Sequence, residues 1–247
     1  MGQDLIYYVL SALASLIVLT VHEFSHAYAA DKLGDPTAKN LGRLTLNPLK
    51  HLDIVGVLSM VFFHIGWAKP VPINARNLKK PKRDFALTAL AGPLSNLICA
   101  FFAALLYLVA WRIYVTSTFT SAFVENLALY SVLFLLVFHQ INLGIAIFNL
   151  IPVPPLDGSR ILHLVLPPKL YFKVMRHDRT FYIALLLWLF LGDLLSTILL
   201  RIPFVQTSGV LSFIATYIVS LSNLVGVAIG WLSSLMISFW QLIPWLS

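Results

Sequence analysis

The segment His22-Glu23-Phe24-Ser25-His26 lies inside an apolar run that extends from about residue 5 to residue 30. On a helix, His22 and His26 stand one turn apart on one face, where two imidazole nitrogens can hold a single metal ion. Glu23 is one residue along and can reach a water beside that ion to take its proton. This is the H-E-x-x-H arrangement of zinc sites. Two imidazoles do not complete a catalytic zinc site, which takes three protein ligands and keeps a further position for water. With Glu23 used as base, the third ligand must come from elsewhere. Asp53, His64, His139 and Asp157 all lie in or beside apolar runs, and spacing alone leaves the choice among them open.

The surroundings of Asp157 are unusual. The sequence Asn149-Leu150-Ile151-Pro152-Val153-Pro154-Pro155-Leu156-Asp157-Gly158 follows an apolar run, and its three prolines forbid a regular helix. Unwound backbone at membrane depth is tolerated where it is buried in protein or lines a watery cavity. A bland alternative is a loop just outside the membrane with an ordinary turn aspartate. His51, His64, His163 and His177 have no partner at a metal-binding spacing, and His139 reads as a polar contact between helices. The run Lys79-Lys80-Pro81-Lys82-Arg83 reads as a topogenic anchor. Trp231, Trp240 and Trp245 fit an interfacial belt.

The elements that position these residues follow from composition. Of 247 residues, 59% are hydrophobic and 11% charged, with a mean hydropathy of +0.86. Such a chain lacks the polar surface of a soluble enzyme and the charge of a disordered one. With one cysteine, Cys99, it has no disulfide framework. The expected fold is an all-α polytopic membrane protein, one domain over 1–247, with a motif-bearing core at about 5–165 and C-terminal helices at about 180–247. A span needs about 20 apolar residues, which allows about five to six transmembrane helices. Long apolar runs lie at about 5–30, 86–111, 126–150 and 181–200, with at least one more span from about 209 and room for an interfacial helix after it. The run at 53–66 is short, and basic residues flank it on both sides, so a re-entrant element is expected there. The N-terminus lacks the basic region of a secretory signal, and residues 5–21 read as part of a retained helix.

The formal charge is +7, yet nucleic acid is not the expected partner. Of 17 Lys and Arg, all but Arg112 and Arg201 fall in blocks at 32–50, 69–83 and 160–179, between apolar runs. That is the positive-inside pattern. It places those blocks in the cytoplasm, 112–125 and 193–208 outside, and the N-terminus outside. His22, His26 and Asp157 would then lie within the membrane near its cytoplasmic face.

Taken together, His22-Glu23-Phe24-Ser25-His26 and Asn149 to Gly158 resemble the site-2 protease family of intramembrane zinc metallopeptidases, peptidase family M50. Gly42 to Pro48, Gly66 to Pro72 and Gly92 to Asn96 are similar to further segments of that family, and the resemblance covers about 15–165. The absence of PDZ and CBS modules from these residues resembles its compact subgroup. The resemblance implies that Asp157 is the third zinc ligand, with one zinc per chain and Glu23 as general base. Asn149 and Asn96 match asparagines of the family motifs and are candidates to hold the developing oxyanion. The family also implies a membrane-associated β element after the first helix, and Leu41 to Leu46 has the alternation of a short strand whose edge an extended substrate could join.

The implied activity is hydrolysis of a peptide bond within or next to a transmembrane segment. Expected partners are a single-pass membrane-protein substrate or a signal-peptide remnant, the bilayer, and a regulatory membrane protein or a second copy of the chain. Two other readings use the same residues. A metal transporter or channel would use the histidines and Asp157 as transit ligands but would show repeated halves, which this sequence lacks. An inactive relative that binds transmembrane clients would have lost a ligand or the base, and here Glu23, His22, His26 and Asp157 are all present.

Overall fold

The computed structural model describes residues 2–53, Gly56, 68–218 and 220–246. The expected re-entrant run at 53–66 falls almost wholly outside them, as does His64.

The fold is helical. Helix α1 spans Gly2–Leu33, and α2 is a single turn, Thr37–Asn40. Helix α3 spans Pro81–Thr116 and α4 spans Ala122–Leu150. Two short helices follow, α5 at Asp157–Val165 and α6 at Pro168–Met175, then α7 at Asp178–Leu199. Two further turns, α8 at Pro203–Thr207 and α9 at Gly209–Phe213, lead through a π turn at Ile214–Ile218 to α10 at Leu221–Trp240. Among the described residues four helices are long and apolar enough to cross a membrane: Leu5–Leu33 within α1, α3, α4, and Ser222–Trp240 within α10. The expectation was about five to six. The run at 181–200 does form a helix, α7, but that helix carries Asp178, Arg179 and Asp193 and is not among the four. After Trp240 the chain makes turns, where an interfacial helix had room.

Helix α3 is central, packing on α1, α4, α5 and α10. Its start is well specified. Pro81 occupies the first turn, and Asp84 accepts from the Lys80 backbone N–H at 2.7 Å, satisfying a donor that the helix leaves free. At about 1.5 Å per residue its 36 residues run to about 54 Å, well beyond a hydrocarbon core of about 30 Å.

The packing inverts the soluble pattern. The buried apolar residues are mostly small: Ala14, Ala27, Ala89, Ala100, Ala103, Ala104 and Ala146 are each at most 2% exposed. Leu13, Ile17, Leu94, Ile98, Phe102 and Leu106 face outward. Small residues let helix backbones approach, and large apolar side chains on the outside suit lipid rather than water.

The expected β element is not found at 41–46. The chain turns at Leu41–Gly42 and bends through Leu44–Leu46, and the one sheet-like pairing among the described residues is an isolated antiparallel bridge between Leu52 and Ala68. The polar groups of this loop have other partners. The Thr45 carbonyl meets His51 Nε2 at 2.8 Å, and Arg43 reaches across to donate to the Lys69 carbonyl at 2.6 Å. Alternation of leucine and threonine is a weak strand signal once a turn and a charged tether compete for the same residues.

Beyond the end of α1, Asp35 ties three segments together. It accepts from the Asn74 backbone N–H at 2.6 Å, from Asn77 Nδ2 at 2.8 Å, and from both the backbone and the hydroxyl of Thr37. Burial alone would raise its pKa, but these donors outweigh it and hold the carboxyl below the usual carboxylate range.

Candidate metal centre

Helix α1 carries His22 and His26 inward, 4% exposed each. Their ring nitrogens Nε2 lie 3.0 Å apart. Asp157, the first residue of α5, points its Oδ2 at both, 3.2 Å from His22 Nε2 and 3.1 Å from His26 Nε2. One ligand atom from each of the three residues falls within 4.8 Å of the others. The chain thus brings together groups more than 130 positions apart in sequence.

The rings are locked by what stands behind them. The Phe138 carbonyl can only accept, so Asn142 donates to it through Nδ2 at 2.8 Å. Asn142 Oδ1 then accepts from Asn96 Nδ2 at 2.9 Å, which turns Asn96 Oδ1 toward His22 Nδ1 at 2.6 Å. His22 must therefore carry its proton on Nδ1 and present a bare Nε2. His26 Nδ1 donates to the Thr88 carbonyl at 2.7 Å, with the same result. Two bare imidazole nitrogens and a carboxylate oxygen converge with no hydrogen between them. That is a donor set for a cation, and its nitrogen and oxygen chemistry suits zinc. Backing of the second ring nitrogen by an amide or carbonyl is the usual support of a metal-ligating histidine. The other carboxylate oxygen of Asp157 lies 3.8 Å from Arg160 Nη1, which distinguishes its two oxygens.

Two glycines permit this convergence. A Cβ on Gly92 of α3 would come within 2.4 Å of His26 Nε2 and 2.7 Å of His22 Cε1, so α3 passes the imidazoles at backbone distance. A Cβ on Gly158 would meet the Leu150 and Ile151 carbonyls at 2.4 and 2.5 Å. That contact seats the start of α5 against the end of α4. Between them the proline-rich segment 151–156 ends α4 and re-aims the chain, with Leu156 donating its N–H to the Val153 carbonyl at 2.9 Å.

Glu23 is also buried, and its Oε2 accepts from the Val71 backbone N–H at 2.9 Å. Asn96 and Asn149 were expected near a developing oxyanion. Both ends of Asn96 are engaged behind His22, and Asn149 donates one N–H back to the Ile145 carbonyl of its own helix at 3.1 Å. Of the other ligand candidates, His139 lies elsewhere, bonded between the Ala100 carbonyl at 2.8 Å and Ser233 Oγ at 2.9 Å. Asp53 accepts from the Gly56 N–H at 2.9 Å. Sequence reasoning missed Thr88, whose contribution is a carbonyl and has no side-chain signature, and the packing role of Gly92.

Comparison with known proteins gives a consistent picture. The sequence pattern described as peptidase family M50 matches residues 10–191. The chain is 39% identical over 188 residues to "Putative zinc metalloprotease YwhC" of Bacillus subtilis, covering 73% of this chain and 82% of that protein. It is 30% identical over 162 residues to "Putative zinc metalloprotease Rip2" of Mycolicibacterium smegmatis, covering 62% of this chain and 56% of that one. The protein of the same name from Mycobacterium tuberculosis is 29% identical over 187 residues, with 73% and 66% covered. No solved structure matches.

Proposed function

This chain belongs to peptidase family M50, and from that premise we propose that it is a zinc-dependent endopeptidase that cuts a peptide bond within or next to a transmembrane segment of a membrane-protein substrate. The observation that carries the proposal is the convergence of His22, His26 and Asp157 beside Glu23, among helices apolar enough to cross a membrane. His22 Nε2, His26 Nε2 and Asp157 Oδ2 would hold one zinc. The ion would supply Lewis acidity to the scissile carbonyl and to the attacking water. Glu23 takes the proton of that water and returns it to the leaving amine. Asn96 and the Thr88 carbonyl keep the two imidazoles in the tautomer and orientation that present Nε2.

The basic blocks that follow α1 and Asp157 support a centre near the cytoplasmic face with the N-terminus outside. The substrate class that fits is a single-pass membrane protein or a signal-peptide remnant, unwound locally so that its backbone is reachable. A regulatory membrane partner or a second copy of the chain could then govern access.

The test is cleavage of a transmembrane model substrate by purified protein in lipid, with zinc content measured alongside. Glu23→Gln should cut at least about 10²-fold more slowly while retaining zinc, since Gln keeps the shape but accepts no proton. Near wild-type cleavage by Glu23→Gln, still abolished by a zinc chelator, would sink Glu23 as base.

A further inference from the structure

A strap of extended chain, residues 68–74, lies across α1 at the level of Glu23. It is tied at both ends. The Lys69 N–H donates to the His51 carbonyl at 2.8 Å, and the Lys69 carbonyl accepts from Arg43 Nη2 at 2.6 Å. At the far end the Asn74 N–H is held by Asp35 at 2.6 Å, and just beyond it Asn77 Nδ2 is held by the same carboxylate at 2.8 Å. In the middle, Val71 is buried and packs with Ala27, Ala38, Leu44 and Ile73.

The sequence of the strap is Pro70-Val71-Pro72. Proline has no N–H, so of these three residues Val71 alone can donate from its backbone. Pro72 also restricts Val71 to extended conformations, which fixes the direction of that one N–H. It points at Glu23 Oε2, 2.9 Å away, and both partners are buried. A buried carboxylate on a glutamate side chain has three torsions to settle, and a single directed donor removes much of that freedom. The other oxygen, Oε1, accepts from none of the described residues and is then the one left for a reacting proton. A strap with two prolines is also a poor strand edge, because it lacks the regular row of donors that β-addition uses.

We propose that the Pro70-Val71-Pro72 strap positions the base, with the Val71 N–H holding Glu23 Oε2 so that Oε1 is presented to the reacting water. This rests on the assignment of Glu23 as general base. Val71 is then a positioning residue, and Arg43 and Asp35 act at one remove by pinning the strap. The alternative role for the same contact is occlusion, in which the strap keeps Glu23 covered and must leave before substrate enters. The two roles predict opposite signs.

The experiment measures kcat and KM on a transmembrane model substrate, in the full-length protein reconstituted in lipid, with bound zinc quantified for each variant. Val71→Pro removes the N–H and should lower kcat about 10- to 100-fold, with KM within about twofold and zinc unchanged. Val71→Ala retains the N–H and should recover most of kcat. Arg43→Gln loosens one end without touching Glu23 or Val71. It should lower kcat a few-fold, and it carries the test if Val71→Pro does not fold. Equal impairment of Val71→Pro and Val71→Ala would overturn the proposal, because lost packing would then explain both. Faster cleavage by Arg43→Gln would overturn it in favour of occlusion. Unimpaired kcat in Val71→Pro and Arg43→Gln, with Glu23→Gln inactive, would overturn the strap's role and leave the base intact. Full activity of Glu23→Gln would remove the base itself.

Discussion

Two sets of polar side chains between the helices of this bundle are partnered differently. Around His22 and His26 they form a connected network: Phe138 carbonyl, Asn142, Asn96, His22, Asp157, His26, Thr88 carbonyl. Helix backbones there approach until only glycine fits. Where α10 docks on α3 and α4, the polar contacts are separate. His139 meets Ser233 Oγ at 2.9 Å, and Trp240 Nε1 donates to the Phe101 carbonyl at 2.8 Å. None of the apolar stretch of Ser222–Trp240 is buried, against 28% of that of Pro81–Thr116, and a Cβ on Gly226 or Gly230 would meet nothing within 4 Å. The contrast separates two uses of polar groups in a lipid-facing protein. A network fixes orientation and proton placement, whereas isolated bonds only hold a helix in place.

The comparison breaks most visibly at the ligands. His26→Ala or Asp157→Ala should strip zinc and abolish cleavage, as read by metal analysis of the purified protein. If Asp157→Ala kept full zinc while His139→Ala or Asp53→Ala lost it, the network would have been assigned to the wrong centre.

A pair of glycine substitutions sharpens it. Gly92→Ala should displace the imidazoles and lower cleavage about 10²-fold or more, the scale of loss that follows an ångström-sized misplacement. Gly230→Ala should leave cleavage unchanged and, by helix propensity, add up to about 1 kcal/mol of stability. Parallel rate and thermal-unfolding measurements decide this, and equal losses would erase the distinction between the two regions.

The smallest effects belong to the docking bonds. Ser233→Ala and Trp240→Phe should each cost about 1 kcal/mol of stability and leave zinc content intact. Because the two bonds share no partner, the double variant should lose the sum within about 0.5 kcal/mol. A large coupling between them would show a second network where we describe separate contacts.

Much of this architecture is legible in the chain. Apolar runs mark α1, α3 and α4, and the spacing of His22, Glu23 and His26 encodes its own geometry because a helix repeats every 3.6 residues. The position of Asp157 is not encoded that way. Its approach depends on a proline-rich turn and on Gly158 fitting against the end of α4, and no local periodicity expresses either. Asn96 illustrates the same limit. Its residue type announces a polar task, but whether it meets substrate or a histidine depends on which face of α3 turns inward, and that is settled by Gly92 and by Asn142 on another helix. The loop at 41–46 fails in the opposite sense. Its alternation is real, but a long-range tether from Arg43 to Lys69 and a local bond from His51 to Thr45 override so short a pattern.

The distribution of the network along the chain has a consequence for biogenesis. His22, Glu23 and His26 leave the ribosome more than 60 residues before Thr88 and Asn96, and more than 130 before Asp157. The first helix is therefore made before the groups from outside it that hold these three side chains, Val71 N–H, the Thr88 carbonyl, Asn96 and Asp157. A half-synthesised chain holds His22, Glu23 and His26 but not Asp157. Because α1, α3 and α4 all end before Asp157, the three side chains can meet only once the helices that enclose them have been made.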